Sequence, residues 1–186
     1  DDGPEVYFAT SISNNDEGNS GTNTIRSFTV TMTDTSEQTV TIPYPISASG
    51  SHPATLDSDY SSAASSVSIS PGSGTSTADI SVTILGDNVD EYDQTITIGL
   101  GPTSDDIING SLHGTNSTTY TYTITDDDDM PSASISGSGD DWEMNTQTIT
   151  ITLDAESEKD ASFTLTNTDV TATETTDYTL SSTSQA

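Results

Sequence analysis

The sequence lacks cysteine and has almost no basic residues, and each scarcity excludes a class of structure or partner. Without cysteine, none of the 186 residues can form a disulfide, so packing or a metal must stabilise the fold. Arg26 and Lys159 face 30 acidic residues, which gives a formal net charge of -28. A surface this negative repels nucleic acid and anionic lipid, so neither is an expected partner. No stretch is apolar enough to span a membrane.

Apolar residues are also scarce: Leu, Ile, Val and Phe together number 32 of 186, about 17%, a composition typical of disorder when combined with this charge. Their arrangement nevertheless predicts β structure, because apolar and polar residues alternate and no helical periodicity occurs. Such alternation, bounded by Gly, Ser, Asn and Asp loops, predicts an all-β, immunoglobulin-like antiparallel β-sandwich of about seven strands. The inward residues of the seven predicted strands are Val6, Phe8 and Ile12; Phe28, Val30 and Met32; Val40, Ile42, Tyr44 and Ile46; Val67 and Ile69; Ile80, Val82 and Ile84; Ile96, Ile98 and Leu100; and Tyr120, Tyr122 and Ile124.

After Pro131 the pattern starts again. Three landmarks recur in the same order at similar offsets, which indicates a tandem repeat. The recurring pairs are Asp1–Pro4 with Asp128–Pro131, Glu17 with Glu143, and Asp59-Tyr60 with Asp177-Tyr178. We therefore predict a complete sandwich over residues 1–129 and a partial second copy over 130–186. The partial copy has about four predicted strands, near Ile135, Ile151, Leu165 and Leu180.

A partial sandwich leaves a sheet edge and an apolar face uncovered. The expected partners are therefore neighbouring repeats of the same chain or other copies of it. Another copy could complete residues 132–186 by strand addition, and such subunits would join head to tail into a filament.

Four consecutive aspartates, Asp126–Asp129, follow the last strand of the first copy directly. Adjacent carboxylates repel one another, at on the order of 1 kcal/mol for unit charges about 4 Å apart in water. Such a run is either a solvated acidic linker or part of a cation site. The cation that suits several carboxylates in a loop-built site is Ca²⁺, which takes 6–8 oxygen ligands.

An ordered set of motifs resembles the Calx-β module, the calcium-binding sandwich of sodium–calcium exchangers, an integrin cytoplasmic tail and many bacterial surface proteins. The resemblance spans residues 5–129 and recurs partially over 132–186. Asp57 stands where the family usually has glycine. The matching segments are Asp16–Gly18, Ala54–Tyr60, Pro71-Gly72, Ile80–Ile84, Gly86–Glu91 and Ile124–Asp128.

The resemblance implies a set of calcium ligands at these positions. They are the side chains of Glu17, Asp59, Asp87, Glu91, Asp126, Asp127 and Asp128, and the backbone carbonyl of Val89. Gly86 and Gln94 replace acidic residues of the family pattern, so one or two ions are expected rather than four. In the second copy Glu143 and Asp177 match, but its acidic loop and terminal aspartates are missing.

These observations favour a non-enzymatic role. The chain has no cysteine nucleophile, and His52 and His113 are isolated in predicted loops; a glycosidase-type carboxylate pair stays open. We expect a calcium-binding structural module of a large extracellular or cell-surface protein, acting as a calcium-stiffened spacer or as a filament or adhesin unit. The alternatives are a calcium-sensing regulatory domain and an adhesive glycan- or ice-binding domain.

Overall fold

The computed structural model describes residues 3–72, 76–101, 107–137 and 144–180. These residues form β-strands, turns and loops, so the predicted all-β class is confirmed. Within these ranges no helix is long and apolar enough to cross a membrane. The strands are β1 Glu5–Phe8, β2 Ile12–Asp16, β3 Asn23–Met32, β4 Val40–Pro43, β5 Ile46–Ser49, β6 Tyr60–Ser61, β7 Ser66–Ile69, β8 Thr77–Leu85, β9 Gln94–Gly99, β10 Ser111–Leu112, β11 Thr119–Thr125, β12 Ala133–Ser136 and β13 Thr150–Leu153.

Two sheets of the first repeat enclose one apolar core. The five-stranded sheet has the order β10-β1-β3-β8-β6, the four-stranded sheet has the order β2-β11-β9-β5, and β4 pairs with β7 separately. Phe28 of β3 contacts two rings of β11 edge to face, with centroids 4.9 Å from Tyr120 and 5.3 Å from Tyr122. The alternating residues of both sheets are buried together, as the period-two pattern predicts.

Two of the predicted strands are each split in the structure. The chain leaves the first sheet after Phe8, and β2 then pairs in parallel with β11 of the other sheet. Ile12 is 72% exposed, so the prediction that it shares the inward face of Val6 and Phe8 was wrong. The third predicted strand breaks between Pro43 and Pro45, because proline has no N–H for a sheet ladder. Its halves, β4 and β5, pair with β7 and β9 respectively.

Several strand ends meet at one end of the sandwich. In the pairing registers, Asp16 of β2 lies opposite Thr125 of β11, and Gln94 of β9 lies opposite Ile124. Tyr60, which begins β6, lies opposite Ile84 near the end of β8. The loops that carry the predicted ligands therefore converge at this end.

The second repeat reproduces local structure of the first. β12 and β13 pair as β1 and β3 do. Each pair is extended by one matching hydrogen bond: Asp154 N–H donates to the Ser132 carbonyl at 3.1 Å, and Thr33 N–H donates to the Glu5 carbonyl at 2.9 Å. The two backbone turns Thr55–Tyr60 and Thr173–Tyr178 have the same hydrogen bonds at an offset of 118. The names first and second repeat refer to residues 1–129 and 130–186, and their origin as a tandem repeat stays a prediction.

The strands predicted near Leu165 and Leu180 are not formed in the described part of the chain. By the matching loops, Leu165 corresponds to Tyr44, just after β4, and Leu180 follows the counterpart of Tyr60 in β6. In the first repeat β4 pairs with β7, and β6 pairs with β8. The described residues of the second repeat contain no counterpart of β7 or β8, so these segments have no strand to pair with. Glu143 lies outside the described residues.

Candidate metal centre

Three carboxylates converge at the end of the first sandwich where β2, β8 and β11 end, each from a different loop. Glu17 follows β2, Asp87 follows β8, and Asp128 lies three residues beyond β11. One oxygen of each lies within 4.8 Å of the oxygens of the other two. Two ligands of one calcium ion can be separated by at most twice the Ca–O distance, about 5 Å. The spacing therefore fits a shared cation of that size.

Glu17 is buried without a partner for one of its oxygens. Glu17 is 2% exposed, and its Oε1 accepts no hydrogen bond from the described residues. The buried Oδ2 of Asp128 likewise accepts none from them. Burial, followed by the negative charge of Asp87, raises the pKa of Glu17 from 4.5 to about 8. A buried carboxylate of this kind is either protonated or compensated by a cation.

Backbone N–H groups bind the aspartates of these loops, once between two loops and twice within one loop. The N–H of Gly18 donates to Asp127 Oδ1 at 2.9 Å, and the N–H of Val89 donates to Asp87 Oδ1 at 2.7 Å. The Asp128 N–H reaches Asp126 Oδ1 at 3.3 Å. These bonds orient the aspartates, while the predicted role of the Val89 carbonyl as a ligand stays a prediction.

The backbone around Gly86 accounts for the glycine that replaces an acidic residue of the family pattern. A Cβ atom at this position would lie 1.8 Å from the carbonyl oxygen of Gly18, which no side chain can tolerate. The loop after β8 therefore approaches the loop after β2 so closely that the aspartate of the family pattern does not fit this backbone.

Asp59 and Glu91 are buried beside the three converging carboxylates but are not part of the close group. Asp59 accepts a hydrogen bond from the Thr55 N–H, and burial raises its pKa. Glu91 Oε2 accepts a hydrogen bond from Gln94 Nε2 at 2.8 Å. Burial, followed by the charge of Glu158, raises the pKa of Glu91 to about 7. Gln94, which stands where the family has glutamate, thus positions Glu91.

Asp126 has a different neighbour, which the sequence analysis missed. Lys159 of the second repeat places its Nζ 2.6 Å from Asp90 Oδ1 and 2.8 Å from Asp126 Oδ2. Hydrogen bonds to Asp126 and Asp90 raise the pKa of this lysine. The only signal in the sequence was its scarcity, since Lys159 is one of two basic residues in a chain of net charge -28.

Similar folds occur among solved structures. The apo-form Calx CBD1 domain matches with a TM-score of 0.52 and 17% identity, over 68% of this chain and 100% of that domain. The Calx CBD2 domain matches with a TM-score of 0.51 and 17% identity, over 67% of this chain and 90% of that domain. The fold is that of the Calx-β domains.

The structure of CBD12 from CALX1.2 matches with a TM-score of 0.51 and 18% identity, over 67% of this chain and 46% of that structure. Neither a protein-family model nor a curated protein matches the sequence. The Calx-β resemblance in the motifs is therefore confirmed at the level of the fold. The expectation that the chain is not an enzyme stays a prediction.

Proposed function

We propose that this chain is a calcium-binding structural module in which an ion at the end of the first sandwich stiffens the junction to the next repeat. One observation carries the proposal: the oxygens of Glu17, Asp87 and Asp128 converge, while a buried Glu17 oxygen has no partner among the described residues. The similarity in fold to the Calx CBD1 and CBD2 domains adds support.

The chemistry of the donors favours calcium over other ions. The converging ligands are all carboxylate oxygens, whereas zinc sites use mainly His and Cys. Magnesium requires near-ideal octahedral geometry at shorter distances, while calcium accepts 6–8 oxygens in flexible arrangements. Glu17, Asp87 and Asp128 would hold the ion. Asp127, Asp59 and Glu91 lie beside this group and add to its negative charge.

The mechanical role follows from where the ligands lie along the chain. Asp128 belongs to the segment that joins β11 to β12, whereas Glu17 and Asp87 belong to the body of the sandwich. An ion shared by all three ties the linker to the sandwich and removes freedom at the hinge. We place the module in an extracellular or cell-surface protein, where free calcium is abundant enough to keep such a site occupied.

Calcium should strongly stabilise the fold. A ligand at about 1,000 times its dissociation constant adds about 4 kcal/mol to the free energy of unfolding. We expect a melting temperature higher by roughly 10 °C or more in millimolar calcium than in excess chelator. Scanning calorimetry in both conditions measures the difference. Identical melting curves would remove the basis of the proposal.

A pair of variants tests the site itself. Asp128→Asn keeps an oxygen but removes a charge from the converging group, so calorimetric titration should show weaker calcium binding by tenfold or more, about 1.4 kcal/mol. Asp34→Asn removes an equal charge from an exposed loop that follows β3, away from the converging group, and should change the affinity little. Equal losses in both variants would indicate diffuse attraction of cations to an acidic surface instead of a site.

A further inference from the structure

A loop of the second repeat surrounds one aspartate of the first sandwich. The loop is Ser157–Lys159, and the aspartate is Asp90, which is buried in the turn between β8 and β9. Glu158 N–H donates to the Asp90 carbonyl at 3.0 Å, and Ser157 Oγ donates to Asp90 Oδ2 at 2.8 Å. Lys159 Nζ donates to Asp90 Oδ1 at 2.6 Å. Both carboxylate oxygens and the backbone oxygen of Asp90 are thus engaged by this loop.

Lys159 also reaches the start of the linker. Its ammonium lies 2.8 Å from Asp126 Oδ2 and 5.7 Å from the centre of the Tyr92 ring. The lysine side chain is one-third exposed, but the two carboxylates that it contacts are nearly buried. Charge-assisted hydrogen bonds in such surroundings are stronger than those of an exposed ion pair. One cation therefore bridges the β8–β9 loop and the segment after β11.

The first repeat contains the same loop without the lysine. Ser36 Oγ donates to the Gln38 carbonyl at 2.7 Å and accepts the Gln38 N–H at 3.1 Å. Ser157 Oγ makes the matching contacts with the carbonyl and the N–H of Lys159, at 3.4 and 3.0 Å. The loop shape therefore does not require a lysine. What residue 159 adds is a charged group that reaches the neighbouring repeat.

We propose that Lys159 is an inter-repeat clamp, which fixes the second repeat on the metal-binding end of the first sandwich by binding Asp90 and Asp126 together. The clamp occupies Asp126, whose carboxylate is outside the converging group of Glu17, Asp87 and Asp128. The lysine thus compensates charge that a metal ion would otherwise have to neutralise. The clamp shares its end of the sandwich with the proposed calcium site but does not depend on it for its contacts.

Spin-label distance measurements on the full chain test the clamp. Since the chain has no cysteine, Ser27→Cys on β3 and Thr152→Cys on β13 introduce two unique labelling positions, both exposed. We expect a narrow distribution of label distances in the parent chain and in Lys159→Arg, which keeps the charge. Lys159→Gln installs the residue of the equivalent loop, and the narrow distribution should be lost. Gln38→Ala, the matched control in the first repeat, should leave it unchanged.

A narrow distribution in Lys159→Gln, or a broad one in the parent chain, would overturn the clamp. Asp90→Asn removes the negative charge that Lys159 binds and should broaden the distribution in the same way. Calcium titration of the same samples separates this proposal from the proposed function. If calcium binds normally but the label distances in Lys159→Gln are the same as in the parent chain, only the clamp is wrong. If calcium does not bind but the narrow distribution is lost in Lys159→Gln, only the calcium site is wrong.

Discussion

The two repeats share local hydrogen bonds but differ in burial. Both contain the serine-centred loops at Ser36 and Ser157, and both contain the turns that end in Tyr60 and Tyr178. Yet equivalent apolar residues have opposite surroundings. Phe8 is 2% exposed and its counterpart Ile135 is 65% exposed.

The difference shows that a short segment determines its own turn hydrogen bonds, whereas burial of its side chains depends on the other strands of the sheets. The turn hydrogen bonds join residues three or four positions apart, so the segment forms them wherever it lies in the molecule. Burial of Phe8 or Ile42 needs strands that are distant in sequence, including β8, β9 and β11. The described part of the second repeat has no equivalents of these strands, and none of its described apolar residues is fully buried.

The largest test replaces equivalent residues in the two repeats. Phe8→Ala should lower the free energy of unfolding by about 3–5 kcal/mol, because it leaves a cavity in a packed core. Ile135→Ala should change it by less than about 0.5 kcal/mol, because the side chain is exposed. Urea denaturation in saturating calcium measures both. A comparable loss in Ile135→Ala would mean that this face of the second repeat is covered in solution.

Such covering is what we expect at high protein concentration. Ile149, Phe163 and Leu165 are also exposed, and burying each such side chain contributes roughly 1.5–3 kcal/mol. Sedimentation velocity in calcium should therefore show association that increases with concentration, through strand addition to the second repeat. A strictly monomeric chain, with residues 144–180 protected from hydrogen exchange, would show that the second repeat is stable alone.

The free energy of unfolding should depend on pH differently in the calcium-free and the calcium-bound chain. Without calcium the folded chain holds a proton on Glu17 up to its pKa of about 8, and on Glu91 up to about 7, while the unfolded chain releases such protons near 4.5. The free energy of unfolding must therefore fall as the pH rises from about 5 to about 8. Saturating calcium should flatten this slope, because the ion favours the ionised carboxylates.

Melting temperatures at pH 5.5 and pH 8, in calcium-free and calcium-saturated buffer, measure the effect. Glu17→Gln has no proton to lose and should remove much of the slope in calcium-free buffer. If the stability of Glu17→Gln depended on pH as steeply as that of the parent chain, the titrating group would be a residue other than Glu17.

The sequence was sufficient for the parts of the fold that depend on pattern. Alternation predicted β3, β8, β9 and β11. The resemblance to the Calx-β module implied eight ligands, and three of them, Glu17, Asp87 and Asp128, converge in the structure. The splits at Ala9–Ser11 and Pro43–Pro45 were missed, since alternation continues across a break while the partner strand changes. Lys159 was missed because its partners lie 69 and 33 residues away, and no local pattern records such a contact.

The smallest effect is expected at Asp57, which stands where the Calx-β family usually has glycine. Asp57 has φ of 67° and Thr175, its counterpart, has φ of 70°, in the left-handed region that favours glycine. Asp57→Gly should stabilise the first sandwich by roughly 0.5–1 kcal/mol, because relief of strain exceeds the entropy that glycine adds to the unfolded chain. Asp57→Asn is the matched control, since it removes the charge but keeps a residue that tolerates this conformation. Thr175→Gly relieves more strain, because threonine is β-branched, but it lies outside the packed core. We therefore expect it to leave the main unfolding transition unchanged, and a shift as large as that of Asp57→Gly would show that the two repeats unfold as one unit.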